Sequence, residues 1–412
     1  MMFLLLISCS TLSRVEESYE DFTTLEQHFE DHYISKHNGS LPLFYYTGGQ
    51  WIRRLKELIN QAEDYILFSL FLANIHEVTE EIWMLLIEKQ QQGVEVYGII
   101  DSSSNFQKVP GEPIHTPAAL QMLKSNGVAI VEYNSITASK LFILPFLLDR
   151  EHRKFWVFDG ETISVGGMNI NYTSLGHPPG IGHIDAMVEV QSPSAAAEII
   201  HSFITTWNGY DPRQLHQSMF LIPEVPPDYD GTEFWLIDSS PGGQTHVDAM
   251  LDGVFFSARE EIWLVQGYAF SSRNLIHRIE EAVARGVEVH IVFSDHQWNP
   301  SRRGAAYYSK MDFLKAGASI YLFSSPEESF LHFKLILVDD TISVLGSVNY
   351  NNRSQYLSRE VALVFEDPDV GKDVRQHLEE LLLHTSPVTE EDAQSYRTFI
   401  NRLHHLVMQL GG

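Results

Sequence analysis

The sequence predicts an α/β protein of two similar lobes, each a mixed β-sheet flanked by helices, related by a pseudo-twofold axis. Three observations carry that expectation. The stretch 151–169, EHRKFWVFDGETISVGGMN, returns at 331–349 as LHFKLILVDDTISVLGSVN, which places His332 180 residues after His152. Strand and helix signals alternate in the same order in both halves. A chain of 412 residues also suits two cores better than one.

Taken in order, residues 14–41 are polar and acidic and read as a tether or irregular arm. Residues 51–62 place Trp51, Leu55, Leu58 and Ile59 on one helical face, and 64–72 (DYILFSLFL) reads as a buried strand. A helix over 77–92 leads into a strand that opens on the GVEV of 93–96 and ends near Asp101. A helix ending at Gly127 and a strand over 128–133 follow. The second half replays this with a helix over 247–259, a strand from 261 to 270, a helix over 272–285, and a second GVEV at 286–289. Residues 311–317 and 318–323 complete the replay. The prolines of 223–229 (PEVPPDY) resist both helix and sheet and mark the join. The expected divisions are 1–42 (apolar start and polar arm), 43–225 (first lobe) and 226–412 (second lobe). Residues 389–410 read as an amphipathic helix with Tyr396, Phe399, Ile400, Leu403, Leu406 and Val407 on its apolar face, packed against a lobe.

The repeated stretch carries the chemistry. Alternate side chains of a strand share a face, so His152 and Lys154 point together, as do His332 and Lys334. If the lobes pack symmetrically, two imidazoles and two ammonium groups meet in one pocket. That set suits a phosphate ester: lysines neutralise the oxygens, one histidine attacks phosphorus, and the other protonates the leaving oxygen. Asn169 and Asn349 are placed to donate to the same oxygens. Ser347 could add a hydroxyl, and Gly167 in the equivalent place leaves room for backbone to approach a ligand. Asp159 and Asp339 complete each motif and read as turn anchors. Asp185 (in HIDAMVEV) and Glu360 (in REVALVFE) open apolar strands where a carboxylate is otherwise out of place.

The tandem H-x-K-x4-D motifs, with GG-x-N and GS-x-N following, resemble the phospholipase D superfamily and, within it, bacterial cardiolipin synthases. The resemblance covers the chain from about Thr47 to the C-terminus. It implies a phosphatidyltransferase that joins two phospholipids through a covalent phosphatidyl-histidine, most simply two phosphatidylglycerols giving cardiolipin and glycerol. A phospholipase D hydrolase is the alternative, with a nuclease of the superfamily third. It further implies that His152 attacks, that His332 acts on the leaving oxygen, and that His152 pairs with Asp185 and His332 with Glu360. The motif residues alone do not distinguish the two histidines.

Composition narrows the partners. With 54 acidic against 28 basic residues the net charge is −26, which disfavours general nucleic-acid binding. Phospholipids at a membrane surface remain the expected partners. The single cysteine, Cys9, closes an apolar start (MMFLLLISCS) that resembles the lipobox of bacterial lipoproteins, implying a lipid anchor in the bacterial cell envelope. No run of eighteen apolar residues could span a bilayer as a helix. The apolar run 140–148 (KLFILPFLL) reads as a loop suited to acyl chains or membrane contact. No cofactor is expected: neither a phosphate-binding glycine loop nor a cluster with metal-ligand spacing occurs.

Overall fold

The computed structural model describes residues 22–105, 118–135, 148–175, 182–224, 231–241, 246–296, 299–325, 327 and 329–409. Cys9, residues 140–147 of the apolar run and residues 225–229 of the proline-rich join lie outside that set.

Among the described residues, two large sheets form with one shared strand order. In the first half the order is Leu43–Tyr45, Met187–Gln191, Thr162–Gly166, Phe155–Phe158, Tyr65–Leu70, Glu95–Asp101 and Ala129–Tyr133. In the second it is Thr232–Ser239, Ser358–Glu366, Ile342–Gly346, Lys334–Val338, Glu261–Gln266, Glu288–Ser294 and Ser319–Phe323, extended at its edges by Lys36–Gly39 and Thr385–Pro387. In each sheet the last three of the shared strands run parallel, and the motif strand joins them antiparallel. The fold is therefore the mixed α/β duplication expected from the sequence.

Strand periodicity sorts the apolar residues into three layers. Tyr65 and Leu67 join Phe155 and Val157 in a central core, while Ile66, Phe68 and Leu70 face outward with Trp156 and Phe158. The second sheet divides likewise: Val265, Leu335 and Leu337 point to the central core, and Ile262, Leu264 and Ile336 to an outer one. The central core is filled by two helices, Pro193–Asn208 and Pro368–Leu382, through residues such as Phe203, Trp207, Val374 and Leu378. The outer layers hold the helices Gly48–Gln61 and Glu77–Gln92 on one side, and His246–Ser257 and Arg273–Ala284 on the other. One continuous core thus binds both sheets.

The paired GVEV stretches have a backbone reason. Gly93 and Gly286 sit at φ +100° and +89°, just past their helices, where a side chain would cost about 1 kcal/mol or more.

Two expectations need correction. Residues 25–39 are not an irregular arm. Leu25–Asp31 is a helix capped by Thr24, and Lys36–Gly39 adds an edge strand to the second half's sheet, with Lys36 opposite Trp235. Leu25 and Phe29 are buried in that sheet's outer core, so apolar anchors one turn apart outweigh the acidic composition.

The C-terminal helix is also different. It is two helices, Glu390–Ser395 and Phe399–Gln409, the second started by the Thr398 hydroxyl accepting from the Asn401 N–H at 3.2 Å. Phe399–Gln409 packs on Pro300–Lys315 through its polar side: His405 Nδ1 meets Ser309 Oγ at 3.2 Å, and the His404 ring lies against Gly304. Phe399 is 83% exposed, and Ile400, Leu403, Leu406 and Val407 are about half exposed. The apolar stripe faces solvent.

Candidate active site

The motif histidines do not sit inside their strands. Each occupies the connection just before one, held by a short parallel pairing with the other lobe. Arg150–Glu151 pairs with Ser358–Arg359, and the His152 N–H donates to the Arg359 carbonyl at 3.1 Å. In the twin arrangement Phe330–Leu331 pairs with His183–Ile184, and the His332 N–H donates to the Ile184 carbonyl at 2.8 Å. Ionic contacts fix the first segment further. Arg153, pointing away from His152, bonds Glu151 at 2.6 Å and reaches Asp238 of the second half at 3.1 Å. The Glu151 N–H donates to Asp101 at 2.8 Å. These buried pairs are satisfied on both sides, so they position the chain more than they stabilise it.

Both histidines line one cavity, together with Asn169 and Asn349. The carboxylates reach them in crossed fashion. His152 Nδ1 lies 3.0 Å from Glu360, and His332 Nδ1 lies 2.6 Å from Asp185. The implied pairing of His152 with Asp185 and His332 with Glu360 is therefore corrected. The cause is the exchange of short strands: Glu360 follows the segment that pairs with 150–151, and Asp185 follows the one that pairs with 330–331.

The small residues after each motif serve the carboxylates. A Cβ on Gly167 would stand 2.2 Å from an Asp185 oxygen, so the glycine makes room for that side chain rather than for a ligand. Ser347 donates its hydroxyl to Glu360 and accepts from the Val361 N–H at 3.0 Å. Asn169 uses its side-chain oxygen on the Leu72 N–H at 2.9 Å, which leaves its NH₂ for the cavity. Asp159 and Asp339 are outside the cavity. Each sits in a left-handed turn at φ +49° and accepts three backbone N–H groups, from residues 63–65 and 259–261 respectively. They tie each motif hairpin to the neighbouring strand.

Electrostatics follow from burial. Lys154 and Lys334 are fully desolvated, which pulls their ammonium groups down to about 7 and about 8. The Lys154 Nζ donates to the His152 carbonyl at 2.5 Å, and the Lys334 Nζ lies 3.6 Å from Asp185. Burial first, and the lysines second, hold both imidazoles well below their usual value, so they are neutral near pH 7. Burial raises Glu360 to about 7 and pushes Asp185 up too. An entering anion favours the protonated form of every one of these groups. Binding of dimethyl phosphate at pH 8, whose own charge is constant there, is expected to take up about one proton. Calorimetry in two buffers of different ionisation enthalpy reads this directly; proton release, or none, contradicts the assignment of the cavity as an anion site.

Residues 55–207 and 254–382 match the family described as "Cardiolipin synthase, PLD-like domain". The chain belongs to this family. It is 27% identical over 357 residues to cardiolipin synthase A of Pseudomonas putida, covering 85% of this chain and 70% of that one. It is 28% identical over 345 residues to cardiolipin synthase 1 of Staphylococcus aureus, covering 82% and 66%. Its fold is shared with phosphatidylserine synthase from Haemophilus influenzae, at a TM-score of 0.72 and 15% identity over 94% of this chain and all of that one.

In this member of the cardiolipin synthase, PLD-like family, several cavity residues escaped the sequence reading. The His183 ring lies against that of His332, tilted by 30° with ring centroids 4.8 Å apart. Phe71 and Tyr268 flank His152 and His332 at 4.8 and 5.9 Å. Asn171 and Asn351 line the cavity and cap the helices Tyr172–Leu175 and Asn352–Tyr356. A signal was present for some of these. His183 stands two before Asp185 on the same strand face, and each motif asparagine is followed two residues on by another. Arg302 and Arg353 also line the cavity, and nothing in their local sequence marks them.

Proposed function

We propose that the protein is a phosphatidyltransferase that joins two phosphatidylglycerol molecules into cardiolipin and glycerol. The supporting observation is two histidines lining one cavity, each backed by a crossed carboxylate and a buried lysine. With each Nδ1 engaged by a carboxylate, Nε2 is the atom of each ring left for chemistry. In the first step His152 Nε2 bonds to the donor phosphorus. His332 takes up a proton on Nε2 as the anionic donor enters, and the phosphorus–oxygen bond to the glycerol headgroup breaks as that proton passes to the leaving oxygen. In the second step the headgroup hydroxyl of another phosphatidylglycerol gives its proton back to His332. Its oxygen then bonds to phosphorus, and His152 is released. Lys154 and Lys334 neutralise the phosphoryl oxygens, which carry most charge in the transition state. Glu360 and Asp185 hold the tautomers and stabilise each imidazolium as it forms.

Lipid substrates place the reaction at a membrane, and the exposed stripe of Phe399–Gln409 is the surface we assign to that contact. The helix holds no acidic residue in a chain of net charge −26, so it is a stretch that an anionic bilayer does not repel. It is also tied to the cavity wall. Asn352, next to the cavity-lining Arg353, donates to the Gln409 carbonyl at 3.0 Å.

A product assay with labelled phosphatidylglycerol tests both statements. Cardiolipin and free glycerol are expected. Phosphatidic acid as the sole product would make the enzyme a hydrolase, and cleavage of DNA with lipid untouched would make it a nuclease. Leu403→Glu with Leu406→Glu should cut turnover of vesicle-borne lipid several-fold relative to dispersed short-chain lipid; an unchanged ratio removes the helix from the membrane contact.

A further inference from the structure

We propose that Arg302 and Arg353 form a second phosphate subsite in the cavity, holding the phosphodiester of the acceptor phospholipid while its headgroup hydroxyl attacks the phosphatidyl-enzyme. The assignment rests on the transferase reading above and adds the residues that would recognise the second lipid.

The two arginines differ from several paired arginines of this chain. Arg153, Arg278 and Arg375 each meet carboxylates. The Arg302 and Arg353 side chains, both half-buried, form no ion pair among the described residues, although acidic residues outnumber basic ones 54 to 28. Their side chains lie instead over aromatic faces, Arg302 4.9 Å from the Tyr268 ring centre and Arg353 5.6 Å from that of Phe71. Arg353 Nε is buried without a hydrogen-bond partner. Burial and then the nearby charge of Arg302 bring Arg353 down to about 10, so the two guanidinium groups repel each other across the same space. Unpaired, mutually repelling cations facing a cavity are stabilised by an anion between them, and a planar guanidinium matches phosphate oxygens in a bidentate fork.

Symmetry shows that this charge is additional to the motif charge. The motif lysines are twinned and serve the reacting phosphorus equally from both halves. Arg353 is not twinned: Thr173 holds the corresponding place 180 residues earlier and lines the cavity on the other side. Positive charge is therefore added on one side of an otherwise twofold site. A reaction between two phospholipids has that asymmetry. One phosphodiester is at the reacting centre, and the acceptor brings a second that stays intact. Hydrolysis has no second anion to place.

The test is a competition inside one reaction. Phosphatidylglycerol vesicles are supplied with n-butanol, so the same phosphatidyl-enzyme partitions between an anionic lipid acceptor and a neutral alcohol. The ratio of cardiolipin to phosphatidylbutanol is measured for wild type, Arg302→Gln, Arg353→Gln and the two Lys variants. Each Gln variant is expected to lower the ratio about tenfold, as for loss of a charge-assisted hydrogen bond to phosphate, with the Lys variants in between. The ratio does not depend on how much enzyme is folded, and the Lys variants keep the test open if a Gln variant fails to fold. A ratio that stays at the wild-type value overturns the subsite, including when both products fall together, since the arginines would then act on the donor or on the fold. Wild-type enzyme that makes phosphatidylbutanol but no cardiolipin overturns the transferase reading itself, and the subsite with it.

Discussion

The His332→Ala variant should release nitrophenolate from phosphatidyl-p-nitrophenol in a single burst and accumulate a phosphohistidine, whereas His152→Ala should release none. On phosphatidylglycerol both variants should lose at least about a thousandfold in turnover, since residues that act as one catalytic unit fail together. The two separate only when the leaving group needs no proton. Nitrophenolate departs unaided, so removing the acid leaves the attack of His152 Nε2 on phosphorus intact. The intermediate then persists because no base is left to activate the acceptor hydroxyl. Intact-mass measurement of the adduct and stopped-flow absorbance check the outcome. A burst from His152→Ala instead of His332→Ala would exchange the two roles. Bursts from neither would remove the covalent intermediate.

The crossed carboxylates make a second prediction of similar size. Glu360→Gln should behave like the loss of His152, and Asp185→Asn like the loss of His332. Each amide leaves its histidine in the wrong tautomer, and about a hundredfold to ten-thousandfold loss on phosphatidylglycerol is expected. With phosphatidyl-p-nitrophenol the phenotypes divide. Asp185→Asn, whose partner is His332 at 2.6 Å, should keep the burst, and Glu360→Gln, whose partner is His152 at 3.0 Å, should lose it. Pairing within each half would give the reverse. Thermal melting accompanies the rates, because Glu360 also accepts from Ser347 and its removal disturbs a buried network.

Much of the architecture was legible in the order of residues. Helical spacing of Trp51, Leu55, Leu58 and Ile59 marks a buried face, and all four are buried. The GVEV stretches mark strand starts because a glycine is needed where each preceding helix turns off. The acidic arm misled because composition was read where spacing mattered: Leu25 and Phe29, with the Thr24 cap, seat a short helix. The C-terminal stripe misled in the opposite sense. Period 3.6 shows that a helix has an apolar face but not what that face meets, and here His405 and its polar neighbours take the protein side.

What the sequence by itself determined is the duplication, the strand and helix order of each half, and the residue types brought toward a shared pocket. These follow from local periodicity, which repeats every two or 3.6 residues and can be read without knowing the partner. Only the tertiary structure decided which carboxylate serves which imidazole, that Gly167 yields space to Asp185, and that Arg302 and Arg353 face the cavity unpaired. The crossed pairing depends on two-residue strands exchanged between the halves, in contacts separated by more than a hundred residues. Pairings that short carry almost no local propensity, and the packing of the common core sets their register.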